Sequence, residues 1–147
     1  MRGASDKGLY QVYAHHPVYG KNLVYIGMTQ ASFAARIPVN NWEGGAENDP
    51  KRVEYYLGRL RGIATPSSGH WNEEIRLAEA LLIHAHAPAY SRQFVIDPPG
   101  ETTHGHVRVL NWGAVRSLHR EVSGLMWTNR ARQFLGYQIY GAAPPGR

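Results

Sequence analysis

The chain has no cysteine, only three lysines and only three phenylalanines among its 147 residues. Without cysteine, disulfide scaffolds, zinc ribbons, thiol nucleophiles and iron–sulfur centres are excluded. No apolar run approaches the ~18 residues of a membrane span, and residues 1–10 hold no apolar stretch of the kind a signal peptide needs. The expectation is therefore a cytoplasmic protein with no membrane partner, although an effector exported without a cleaved signal has the same features. What is present is 43% hydrophobic and 11% aromatic residues, enough for a packed core. The length suits a single domain over 1–147.

Acidic residues are scarce in one region. The net charge of +5 comes from 16 Lys+Arg against 11 Asp+Glu, and residues 1–101 are balanced at 10 of each sign. Residues 102–147 carry Arg108, Arg116, Arg120, Arg130, Arg132 and Arg147 against Glu121 alone. Arginine outnumbers lysine 13 to 3, and guanidinium forks bind phosphate bidentately. A polyanion is therefore a candidate partner.

No repeat or long linker divides the chain. Residues 9–13 and 22–26 read as β-strands, and His15-His16-Pro17-Val18-Tyr19-Gly20 between them reads as the turn of an antiparallel hairpin. Ser32 can cap a short helix over 33–37 that Pro38 ends. Residues 40–50 read as a loop. Val53, Tyr56, Leu57 and Leu60 fall at i, i+3, i+4 and i+7, which predicts a helix over 51–61 with Arg52 and Arg59 on its exposed side. After a loop at 65–69, a longer helix is predicted over 72–86, capped by Asn72, with Glu73 and Glu74 in its first turn and Pro88 closing it. Further strands are expected at 93–96 and 106–110, a helix near 115–122, and a frayed tail at 142–147. Tyr13, Tyr19 and the tryptophans Trp42, Trp71, Trp112 and Trp127 read as core residues.

Glu79 breaks the pattern of its helix. It lies about 40° from Ile75, on the margin of the apolar stripe Ile75, Ala78, Leu81, Leu82 and Ala85. A carboxylate there must be paired, hydrogen-bonded or bound to a metal. Its hard oxygens suit Mg²⁺ or Mn²⁺. His84 and His86 point about 160° apart on a helix and cannot chelate one ion, so no zinc site is expected.

Gly8-Leu9-Tyr10 opens the first strand and Val24-Tyr25-Ile26-Gly27 ends the second. Arg36 follows on the short helix. Glu79 lies within Ala78-Glu79-Ala80-Leu81-Leu82-Ile83-His84-Ala85-His86-Ala87-Pro88. This ordered set resembles the GIY-YIG nuclease superfamily over residues 8–92, with Leu9 in place of the usual isoleucine. Two positions depart from the family's pattern: Asn40 stands where many relatives have histidine, and Ser91 where they tend to have asparagine.

The resemblance implies an α/β chain of α+β type, with a small central antiparallel sheet of about three strands flanked by helices. Residues 8–92 would form the nuclease core, and 93–147 a basic C-terminal extension packed on it. It also implies a divalent-metal-dependent endonuclease that hydrolyses DNA, double- or single-stranded, around one Mg²⁺ or Mn²⁺ ion held by Glu79. Tyr10, Tyr25, Arg36 and Glu79 would be catalytic. Tyr10 would orient or deprotonate the attacking water, its pKa lowered by cationic surroundings. Arg36 would stabilise charge developing on the phosphorus. Which tyrosine is the base stays open. Arg52, Arg59, Ser91, Arg92, Arg108, Arg116 and Arg120 are candidate contacts to nucleic acid. A monomer suffices for nicks, whereas symmetric double-strand cuts need a homodimer. The competing reading keeps the fold as a nucleic-acid-binding module of weak or no activity.

Overall fold

A computed structural model of the chain describes residues 7–37, 53–59, 68–96 and 105–128. The chain is mixed α/β, built on a three-stranded antiparallel sheet in the order β2-β1-β3. The expected hairpin forms from β1 (Gly8–His16) and β2 (Gly20–Thr29), longer at both ends than the apolar runs alone predict. The turn is Pro17-Val18-Tyr19. Tyr19 lies on it 76% exposed, against the expectation of a core aromatic. Helix α1 (Phe33–Arg36) is capped as expected, the Ser32 side chain accepting a hydrogen bond from the Ala35 N–H.

The third strand falls where a helix is expected. Val53–Gly58 is β3, paired antiparallel with β1. Its helical spacing is coincidental. Val53, Tyr55 and Tyr56 are β-branched or aromatic and suit a pleated surface, and β1 offers a free edge whose N–H and C=O groups need partners. Close passage of the two strands requires Gly8: its φ is +154°, and a Cβ there would collide with the Gly58 carbonyl oxygen.

Register decides what each face of the sheet carries. Tyr10 pairs with Gly27 and Leu57, and Val12 with Tyr25 and Tyr55, so all six residues share one face. A bulge between Val12 and Tyr13 gives β2 an extra residue, Val24, which joins a buried cluster with Tyr10, Val12 and Phe33. The opposite face presents Leu9 and Ile26 to helix α2 (Ser68–His86), which contributes Ile75, Ala78, Leu81, Leu82 and Ile83 to the larger core. Helix α2 begins four residues before the expected start at Asn72. Asn72 is therefore inside the helix, and its carbonyl accepts from the Gln30 side chain.

Beyond α2, a two-stranded antiparallel sheet forms from β4 (Arg108–Leu110) and β5 (Glu121–Ser123), followed by a 3₁₀ turn, Gly124–Trp127. Leu118, Val122, Val107, Val109 and Trp127 pack into the α2 core. Two expectations fail here for a common backbone reason. Residues 93–96 form no strand and 115–122 no helix, because Phe94 at φ +60° and Arg116 at φ +54° interrupt both regular conformations. Trp112 is 81% exposed, while Trp71 and Trp127 pack against the core as expected. Trp42 and the tail at 142–147 lie outside the described residues.

Candidate active site

Four elements each deliver one of the expected catalytic side chains. Tyr10 comes from β1, Tyr25 from β2, Arg36 from the end of α1 and Glu79 from the middle of α2. The tyrosines are diagonal neighbours, their ring centroids 6.0 Å apart and their planes tilted by 38°. They meet over Gly27, where a Cβ would stand 2.5 Å from Tyr25 Cε1 and 2.6 Å from the Tyr10 hydroxyl. A side chain at position 27 would therefore separate the rings. A hydrogen bond joins the two hydroxyls, and the Arg36 guanidinium donates to Tyr10.

Glu79 reaches the same place from the other layer. Strand β2 is the outer strand of its sheet, and the Met28 backbone N–H donates to the Glu79 carboxylate. The carboxylate thus sits at the β2 edge, between the helix-covered face and the tyrosine face. Burial pushes its pKa up to about 7, against the lowering effects of the Met28 N–H, Arg36 and Arg76. These neighbours offset the effect of burial only in part.

Among the described residues no group of three or more His, Cys, Asp or Glu gathers to hold an ion. The donor set still fits Mg²⁺ or Mn²⁺, which commonly rest on one or two carboxylates, waters and substrate phosphate. Glu79 is the residue that would hold it.

Tyr10 differs from its expected chemistry. Its side chain is 1% exposed, and burial followed by the neighbouring Tyr25 raises its pKa to about 12, despite the opposing effect of Arg36. Low dielectric disfavours the phenolate more than one guanidinium favours it. Tyr10 is protonated at neutral pH and works as a hydrogen-bonding group. Tyr25 is half-buried and closer to solvent.

The remaining candidates are dispersed. Arg108 is paired with Glu121 across the β4–β5 ribbon, Oε1 lying 2.6 Å from Nε. Arg116 lies over the Tyr56 ring at 4.6 Å, on the sheet face opposite Tyr10. There it adjoins Lys21, which bonds Glu54 and the Tyr56 hydroxyl. Arg59, Arg92 and Arg120 are exposed. Arg52, Asn40, Arg130 and Arg132 lie outside the described residues.

Ser91 belongs to the turn after α2, where the Tyr90 N–H donates to the Val24 carbonyl beside Tyr25. Its Oγ is buried with no hydrogen-bond partner among the described residues. His86 takes no part in the site. Its Nδ1–H donates to the Leu82 carbonyl and its Nε2 accepts from the His119 N–H, tying the helix end to the β4–β5 connection.

Two neighbours of these four side chains escape the sequence reading. Gly27 appears in the tripeptide, but its role as the space beneath two rings needs the register. Arg76 stands three residues before Glu79 on α2, a spacing that brings helical side chains together. Compared with known proteins, the chain matches no family model, no curated protein and no solved structure.

Proposed function

We propose that the protein is a GIY-YIG-type endonuclease that hydrolyses phosphodiester bonds in DNA with one Mg²⁺ or Mn²⁺ ion. The observation that carries this reading is the convergence of Tyr10, Tyr25, Arg36 and Glu79, from four separate elements, at the β2 edge. The electrostatics fit a phosphodiester. Arg36 is exposed at its outer side and tethered to Tyr10 at its inner side, so it can meet a phosphate oxygen without losing its orientation. Tyr25 is less buried than Tyr10 and would orient the attacking water, while protonated Tyr10 would hold Tyr25 and Arg36 in register. A Mg²⁺ or Mn²⁺ ion on Glu79 would supply charge stabilisation at the leaving 3′ oxygen.

The second reading, a nucleic-acid-binding module that does not cleave, is favoured by the departures at Asn40 and Ser91 from the family's pattern. Plasmid nicking with Mg²⁺ or Mn²⁺ separates the two. Wild-type protein should nick, and chelator or Glu79→Ala should abolish nicking while the fold is retained. DNA binding by the wild type without any nicking supports the binding module. Nicking that survives Glu79→Ala unchanged refutes the site assignment.

A further inference from the structure

Arg76 and Glu73 form a preset pair beside Glu79. Glu73 accepts from Arg76 Nε at 3.0 Å and from Nη2 at 2.6 Å, a bidentate contact that fixes one edge of the guanidinium. The opposite edge, with Nη1 and the second proton of Nη2, is not taken up by that contact. The Arg76 side chain is 42% exposed, so a ligand can approach it. Helical spacing places Glu79 one turn further along the same side of α2. We propose that Arg76 is a second phosphate-binding guanidinium of the active site, positioned by Glu73, and that it contacts the phosphodiester backbone next to the scissile bond.

This assignment rests on the nuclease reading. The physical case for it is local. An anionic backbone that approaches Glu79 meets a carboxylate and is repelled unless cations flank it. Arg36 flanks Glu79 from α1, and Arg76 flanks it from α2 itself. The two come from different elements, and both favour the ionised carboxylate. Glu73 immobilises a long side chain before substrate arrives, so little ordering remains to be done on binding. Arg108 and Arg116 are engaged elsewhere, with Glu121 and over Tyr56.

The test uses the full chain as wild type, Arg76→Gln, Arg76→Lys, Glu73→Gln and Arg36→Gln. Duplex DNA binding is measured in chelator over a salt series, and nicking is measured with Mg²⁺. Arg76→Gln should weaken binding about three- to tenfold and lower the slope of log affinity against log salt by about one. Its effect on nicking should fall on KM more than on kcat. Arg76→Lys should restore the salt slope with incomplete affinity, since an ammonium keeps the charge but lacks the fork. Glu73→Gln should keep the slope and weaken binding about twofold, the signature of lost positioning.

If wild type nicks and Arg36→Gln weakens binding while Arg76→Gln leaves affinity and slope unchanged, Arg76 is a surface pair and the proposal falls alone. If wild type neither binds nor nicks DNA, the nuclease reading falls and takes this proposal with it.

Discussion

Leu9 and Tyr10 are adjacent in sequence yet belong to opposite environments. Leu9 faces α2, nineteen residues long and lined with Ile75, Leu81 and Leu82, and joins a fully apolar core. Tyr10 faces α1, four residues long, whose single buried residue is Phe33. A long amphipathic helix buries Leu9 and Ile26 on its face, and hydrophobic burial makes that part of the sheet the stabilising one. Among the described residues, α1 covers little of this face, and beside the buried cluster of Tyr10, Val12, Val24 and Phe33 lie polar hydroxyls and a guanidinium. One side of the sheet holds the molecule together. The other gathers groups that can meet a charged ligand.

The contrast can be broken from either side. The largest stability effect should come from Leu81→Ala, which empties a fully buried position on the helix-covered face. The expected cost is about 2–5 kcal/mol, read by denaturant unfolding, with the kcat of the remaining folded protein unchanged. Gly27→Ala should act in the opposite sense. The added methyl group intrudes between Tyr10 and Tyr25, so nicking should fall roughly ten- to a hundredfold, about 1.4–2.8 kcal/mol of barrier. Near-ultraviolet circular dichroism should register the displaced rings while far-ultraviolet spectra stay constant.

A smaller effect tests the boundary between the faces. Folding raises the Glu79 pKa to about 7 from its ordinary value of 4.5, mainly by burial. The folded state therefore holds this proton more tightly than the unfolded state. Its contribution to stability is full below about pH 4.5 and is lost as pH rises through about 7, by roughly 1–3 kcal/mol. Glu79→Gln should flatten that decline, measured as the difference in unfolding free energy between pH 5 and pH 8. Metal binding should run the other way, strengthening as the carboxylate ionises. Arg108→Ala should have the smallest effect. Its pair with Glu121 is solvent-exposed and screened, so thermal unfolding should not change measurably.

How far the sequence carried the fold depended on whether a signal was local. Ser32 before Phe33 is a capping signal, and it caps. The hairpin was legible because a Pro–Gly turn joins two β-rich runs. Residues 53–58 were not legible, because Val53, Tyr56 and Leu57 satisfy a helical period while Val53, Tyr55 and Leu57 satisfy a strand period. The choice belonged to the vacant edge of β1. Residues 93–96 and 115–122 are likewise not legible, since left-handed backbone at Phe94 and Arg116 leaves no mark in residues of those types. For the candidate site, Tyr10, Tyr25, Arg36 and Glu79 can be named from their order, and their neighbourhood follows from the packing. The protonated state of Tyr10 could not, because burial outweighing Arg36 is a property of the assembled sheet.

The sequence alone determined the absence of thiol chemistry, the hairpin, the α1 cap, the apolar stripe of α2 and the charge surplus after residue 101. Each of these follows from residue type and short-range spacing. Tertiary structure decided the third strand, the meeting of two rings over Gly27, the raised pKa values of Tyr10 and Glu79, and the position of Arg116 on the face away from Tyr10 and Tyr25. These depend on which surfaces exclude water from which groups, and that is settled only when strands and helices from distant parts of the chain pack together.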